Sequence, residues 1–117
     1  MRTIIAGGRN ITNYSLVEAA VAECGWKITE VVSGTANGAD SLGEQWALAH
    51  GVMLKQFPAN WDRFGKSAGY KRNQDMAAYA DALILVWDGV SKGSGHMLAI
   101  ANAKRMRIYQ KVVTSGK

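Results

Sequence analysis

Cysteine and proline are almost missing from the chain: Cys24 and Pro58 are single occurrences among 117 residues. A lone cysteine forms no internal disulfide, so nothing requires an oxidising compartment. Cys24 falls on an apolar helical face and reads as a buried, inert thiol. Histidine is scarce too; His50, His96 and Cys24 stand at no spacing that holds a metal, and no metal site is expected. No apolar run approaches the ~20 residues that span a membrane. The opening Met1–Gly8 segment is broken by glycine too early for a signal peptide and reads as a first strand. The expectation is a soluble, cytoplasmic protein with no membrane partner. Standard phosphate signatures are also missing. Without G-x-x-x-x-G-K-[ST] a P-loop NTPase is disfavoured, and without G-x-G-x-x-G after the first strand so is an ordinary dinucleotide dehydrogenase. No local signature announces a Ser/His/Asp set, and no cofactor is implied.

What the chain does have is glycine, 13 residues of it in clusters, and a surplus of positive charge, 14 Lys and Arg against 9 Asp and Glu. A net charge of +5 suits an anionic partner. The basic residues are dispersed, and the one dense group, Lys104-Arg105-Met106-Arg107, sits at a helix end where cations complement the macrodipole. That pattern favours a small anion over nucleic acid. The length and a 48% hydrophobic content fit one domain, residues 1–117, with a single core.

Apolar periodicity alternates regularly along the chain. Thr3–Ala6 predicts a strand. Thr12 or Asn13 caps a helix to about Cys24, with Leu16, Ala20 and Cys24 on one face and Gly25 ending it. Ile28–Val32 is a second strand. A helix begins at Asp40 or Ser41, with Asp40 as its cap, and carries Trp46 as a core or interface residue until Gly51 closes it. Val52–Phe57 is a third strand, followed by an irregular stretch from Pro58 to Ala68. A helix from about Gly69 to Ala80 places Asn73, Met76, Ala77 and Ala80 together. Ala82–Trp87, apolar throughout, predicts a central strand covered on both faces. A helix from about His96 to Lys104, a strand near Arg107–Val112 and a frayed tail over Thr114–Lys117 complete the chain. The fold class is α/β: a Rossmann-like three-layer sandwich with a five-stranded parallel sheet, order 3-2-1-4-5, and helices on both faces.

Three small-residue loops each follow a strand and precede a helix: Gly7-Gly8-Arg9-Asn10, Ser33 to Asp40, and Asp88 to Gly95. In this architecture they gather at one edge of the sheet, beside the switch in strand order where ligands bind. Glycine admits close backbone approach, and helix N-termini offer unpaired amides to an anion such as phosphate. Arg9, at a strand end, is placed to fork onto a phosphate. Arg72 points either into the crevice or to Asp75, Asp81 or Asp88. Trp61 is a candidate for stacking on a base.

The ordered set Gly7-Gly8-Arg9, Ser33-Gly34-x-Ala36-x-Gly38-Ala39-Asp40, Phe57-Pro58-Ala59-x-Trp61, Ala68-Gly69-Tyr70-x-Arg72-Asn73-x-x-Met76, Ala80-Asp81-Ala82-Leu83 and Trp87-Asp88-Gly89-x-Ser91-x-Gly93 resembles the YspA/cpYpsA-related branch of the SLOG superfamily. The resemblance implies a Rossmann-like domain that binds a phosphorylated nucleotide or nucleotide-derived ligand of the ADP-ribose-like class, as sensor or scavenger. It implies phosphate contacts at Gly7, Gly8, Arg9, Gly93, Ser94 and Gly95. It puts the ribose side at Ser33, Gly34, Gly38 and Asp40, and further contacts at Arg72 and Asn73, where LOG phosphoribohydrolases carry an Arg-Lys pair. SLOG relatives often dimerise, so a homo-oligomer is expected. One departure bears on chemistry. LOG enzymes use P-G-G-x-G-T-x-x-E, and aligning Gly93-Ser94 with its G-T puts Met97 at the glutamate, with His96 just before it. A thioether moves no proton, so binding without catalysis is expected. A LOG-like phosphoribohydrolase employing Arg72 or His96, and a DprA-like single-strand DNA binder, are the alternatives.

Overall fold

The computed structural model describes residues 1–113; the expected frayed tail, Thr114–Lys117, lies outside them. The chain alternates as β1 (Arg2–Gly7), α1 (Tyr14–Glu23), β2 (Glu30–Ser33), α2 (Ala39–Ala49), β3 (Met53–Gln56), α3 (Trp61–Phe64), α4 (Ala68–Tyr79), β4 (Ala82–Trp87), α5 (Lys92–Ala103) and β5 (Arg107–Val112). The strands form one sheet, parallel at every pairing, in the order β3-β2-β1-β4-β5. This is the predicted α/β topology.

Strand alternation explains how one sheet serves two cores, because successive side chains point to opposite faces. Ile5, Val31, Ile84 and Val86 pack with Val17 and Ala20 of α1 and with Trp46 and Ala47 of α2. Ile4, Ala6, Val32, Leu83 and Leu85 pack with Met76 and Ala77 of α4 and with Met97 and Ala101 of α5. All six residues of β4 are buried, as its unbroken apolar sequence requires of a central strand. Trp87 ends that strand and gives its indole N–H to Gln110 Oε1 at 2.8 Å. Trp46 belongs to the core and stacks on His50 of its own chain, with ring centroids 4.4 Å apart. Cys24 is buried, its thiol donating to the Val21 carbonyl at 3.2 Å.

Several boundaries differ from the sequence pattern. Asn13, one of the two expected caps, closes α1 by accepting from the Ser15 amide at 3.0 Å. Gly38, not Asp40, is the N-cap of α2, and Asp40 lies inside the first turn. The stretch from Pro58 to Ala68 holds the single turn α3, capped by Asn60, and a 3₁₀ turn at Gly65–Ser67. The largest difference is α5, which begins at Lys92 rather than His96. Gly93, Ser94 and Gly95 are therefore helical, and the Gly95 amide donates to the Ser91 carbonyl at 2.9 Å. The Asp88 carboxylate organises the preceding turn by accepting from the Val90 and Ser91 amides at 2.9 and 2.8 Å. Glycine's poor helix propensity misplaced the boundary, because a side-chain-held turn just upstream outweighs it.

Gly43 shows packing overriding propensity. A glycine-to-alanine change inside a helix ordinarily stabilises by about 1 kcal/mol. Here a Cβ at Gly43 would stand 2.8 Å from Ile5 Cβ, which belongs to a fully buried β1 side chain anchored to the sheet. Gly43→Ala is therefore expected to destabilise the protein by about 1–3 kcal/mol. Urea denaturation checks this; an unchanged or raised midpoint would show that α2 can shift off the sheet at no cost.

Candidate functional site

The strand order reverses between β1 and β4, and the backbones beyond their C-terminal ends are in contact. Gly7 pairs with Val86 across the ladder, and the Gly8 amide donates to the Val86 carbonyl at 3.0 Å. A Cβ at Gly7 would overlap that carbonyl. Gly38, at φ 81°, lies so close to the β1 loop that a Cβ would overlap the Gly8 carbonyl and the Arg9 backbone. The Ala39 amide donates to the Gly8 carbonyl at 3.1 Å. Three chain segments thus meet backbone to backbone, and a cleft of about 490 Å³ opens above them. That is the usual size for a small-molecule site, at the usual place for an open α/β sheet.

Of the residues singled out in the sequence, Gly7, Gly8, Arg9, Asp40, Trp61, Arg72, Asn73, Gly93 and Ser94 line the cleft. Five do not. Ser33 is fully buried, its hydroxyl donating to Glu44 Oε2 at 2.6 Å. Gly34 lies beneath Arg72, which donates to its carbonyl. Gly38 is spent on backbone packing. Gly95 faces the Trp87 ring. His96 stands in the second turn of α5, edge-on to Tyr70 at 4.4 Å between centroids, and within 3.2 Å of the Asn73 amide nitrogen. Asn10, Lys66, Tyr70, Asp88 and Ser91, to which the sequence pattern assigned no ligand contact of their own, also line the cleft. For Asp88 and Ser91 the signal was present in the Trp-Asp-Gly-x-Ser run. Lys66 comes from the 3₁₀ turn inside the stretch read as irregular, and Tyr70 from the first turn of α4.

The floor holds a buried carboxylate and a half-buried guanidinium. Asp40 is 5% exposed, with Oδ2 accepting from the Ala36 amide at 3.3 Å. Burial pushes its carboxyl up to about 6, against the opposing pull of that amide and of Arg72. Arg72 gives Nε to Asn73 Oδ1 at 3.0 Å, and burial lowers its pKa. Asn73 in turn reaches the Gly93 carbonyl at 3.4 Å. Arg72 and Asn73 therefore tie the loop after β2 to the start of α5 across the floor. None of Asp75, Asp81 and Asp88 is its partner: among the described residues Asp75 pairs with Lys71, Asp81 accepts from the Arg2 amide, and Asp88 holds its own turn. Trp61 and Tyr70 stand on the rim, about half exposed. No group of His, Cys, Asp and Glu among the described residues is arranged to hold a metal. No described helix is long and apolar enough to cross a membrane.

A family model described as the YspA, cpYpsA-related SLOG family matches residues 1–64, more than half of the chain. The chain belongs to that family. No curated protein and no solved structure gives a significant match. The matched stretch runs from β1 through α3 and supplies the SLOG half of the cleft: the β1 loop, Asp40 and Trp61. Arg72, Asn73 and the start of α5 come from the remainder.

The helix ends of this SLOG cleft are not equivalent. At α1, Asn13 caps the first turn with its own side chain. At α2, the first amide is taken by the Gly8 carbonyl, and Asp40 brings a carboxylate into the first turn. At α5 no side chain caps the turn, because the Ser91 hydroxyl is held by Asp88 at 2.9 and 2.8 Å. The amides of Lys92, Gly93 and Ser94 find no partner among the described residues. Ser94, 7% exposed and lining the cleft, makes no side-chain hydrogen bond among them either.

The raised pKa of Asp40 makes a stability prediction with a definite sign. The folded protein releases this proton near pH 6 and the unfolded chain near 3.8. The folded state therefore holds the extra proton between those values, and stability drains away as pH climbs through the window. The separation corresponds to about 3 kcal/mol. Relative to Asp40→Asn, whose side chain does not titrate, the parent protein should lose about 2–3 kcal/mol between pH 4 and pH 7. Parallel urea titrations measure the difference; parallel pH profiles for the two proteins would contradict it.

Proposed function

We propose that this cleft binds a phosphorylated nucleotide or nucleotide-derived ligand of the ADP-ribose-like class, and that the protein acts as a sensor or scavenger of it without turning it over. SLOG membership points to nucleotide-derived ligands. The observation that carries the reading is the convergence of Arg9, Arg72 and the uncapped start of α5 on one cleft of nucleotide size. Helix dipole, free amides and guanidinium groups together favour a phosphoryl group.

Catalysis lacks a suitable group at the expected place. The position that aligns with the LOG glutamate holds Met97, 1% exposed against the cleft floor, where a thioether is neither base nor charge stabiliser. His96, the other candidate, is engaged by Tyr70 and Asn73 outside the cleft lining.

Native mass spectrometry of gently purified protein, followed by calorimetric titration with nucleoside monophosphates and ADP-ribose, tests the binding claim. At least one probe should bind, and at about 100-fold excess over Kd it should stabilise the fold by roughly 2.7 kcal/mol. Arg9→Ala, on an exposed residue, should weaken binding about tenfold or more with an unchanged melting temperature. Incubation should release no free base. Failure of every probe to bind removes the proposal, and base release abolished by Arg72→Ala would establish a hydrolase instead.

A further inference from the structure

The partners of Asn73 dictate which way its buried amide points. Arg72 Nε, which can only donate, lies 3.0 Å from Oδ1. Nδ2 therefore faces the other way, toward the Gly93 carbonyl at 3.4 Å and His96 Nδ1 at 3.2 Å. An amide donor meets Nδ1, so that nitrogen is the acceptor and the neutral ring carries its proton on Nε2. His50 obeys the opposite logic: its Nδ1 stands 2.9 Å from the Trp46 carbonyl, which can only accept, so there Nδ1 holds the proton. A protonated His96 would set a second donor against Asn73. Turning the amide over relieves that contact but points Nδ2 at Arg72 Nε and Oδ1 at the Gly93 carbonyl, so neither arrangement keeps all three bonds. Arg72 has two anchors on the cleft floor, the Gly34 carbonyl and Asn73 Oδ1, and it loses the second.

Burial lowers the pKa of His96, and a donor on Nδ1 acts in the same direction. The elements packed around the ring bring no counter-ion to it. From α4, Tyr70 meets it edge-on at 4.4 Å between centroids, Arg72 stands behind Asn73, and Lys71 and Asp75 pair with each other. β4 is apolar throughout. On β1, Arg2 is bound to Tyr79 and Glu30; on β5, Arg107 lies over Trp26, and Tyr109 and Lys111 are bound to Glu23. On the His96 side of the β4 turn, Asp88 is taken by Val90 and Ser91, and Lys92, one turn before His96, is exposed.

We propose that His96, which does not line the cleft, positions Arg72 through Asn73: the neutral ring holds the guanidinium ready for an anion, and protonation of the ring releases it and weakens ligand binding. The ligand in this proposal is that of the nucleotide reading above, to which it adds a pH-sensitive positioning residue. A cationic imidazole would itself attract an anion. That attraction is screened, because the ring is only partly buried and lies outside the cleft lining, whereas the clash with Asn73 acts at contact distance.

Two measurements test it. The first needs no ligand. NMR of the protein labelled with ¹⁵N in histidine and arginine, at about pH 8, should show His96 as the Nε2–H tautomer and His50 as the Nδ1–H tautomer. As pH falls, the Arg72 Nε–H signal should shift with the same midpoint as the His96 ring. In His96→Asn, which puts a carbonyl oxygen in place of Nδ1 and does not titrate, the Arg72 signal should show no such step. The second is calorimetric titration with ADP-ribose, whose pyrophosphate keeps its charge over this range. Between about pH 8 and about pH 5 the parent should lose about fivefold more affinity than His96→Asn, on the scale of losing a hydrogen bond that orders a charged group. The comparison cancels the titration of Asp40, which both proteins share. His96→Leu, with no acceptor for Asn73, should bind more weakly than His96→Asn at about pH 8. An Nδ1–H tautomer at His96, an Arg72 signal indifferent to its titration, or superimposable pH profiles for the parent and His96→Asn overturns the proposal while leaving nucleotide binding intact. Absence of ADP-ribose binding strikes the affinity claim together with the nucleotide reading, and the ligand-free signals keep the two failures apart.

Discussion

The cleft depends on backbone touching backbone at the switch between β1 and β4. Gly8 donates to Val86 and accepts from Ala39, so one residue joins the ends of two strands and the start of α2. Such contact is available only where no side chain intervenes, and Gly7 and Gly38 supply that condition. A methyl group at either would push the segments apart and break the geometry on which every polar group in the cleft relies. Gly7 lines the cleft, but the need for glycine there is set by the Val86 carbonyl behind it.

The sheet beneath makes this contact rigid. β1 and β4 are buried on both faces by two independent cores, so neither strand can slide without disturbing α1 and α2 on one side and α4 and α5 on the other. Rigid strands hold the donors of the cleft in place before any ligand arrives, which lowers the ordering cost of binding. The rim is built differently. Trp61, Lys66 and Tyr70 come from α3, a 3₁₀ turn and the start of α4, short elements that bury none of these side chains.

Electrostatically the cleft is a balance and not a uniform basic hole. The net positive charge of the chain is spread over its surface, while the floor pairs the environment of Asp40 with that of Arg72, each shifted toward its neutral form by burial. Such shifts collect where polar groups are held ready for a ligand. The Arg72–Asn73 pair also couples the loop after β2 to α5, making the two ends of the cleft one structure.

Sequence pattern alone determined the layer architecture and the central place of Ala82–Trp87, because strands alternating with helices build a parallel sheet with right-handed crossovers; the order 3-2-1-4-5 is one of those such winding allows, and the structure adopts it. It also determined that the three glycine-rich loops lie at one edge, a consequence of parallel strands. Only the tertiary structure decided what each small residue does there. Gly38 and Gly8 pack on one another, Ser33 turns inward to Glu44, Gly95 and His96 ride on α5 away from the cleft, and Ser94 faces the cleft with a hydroxyl that has no hydrogen-bond partner among the described residues. Serine and glycine look alike in a one-dimensional pattern; their roles diverge only when neighbours distant in the chain consume some of their hydrogen-bonding groups and leave others open.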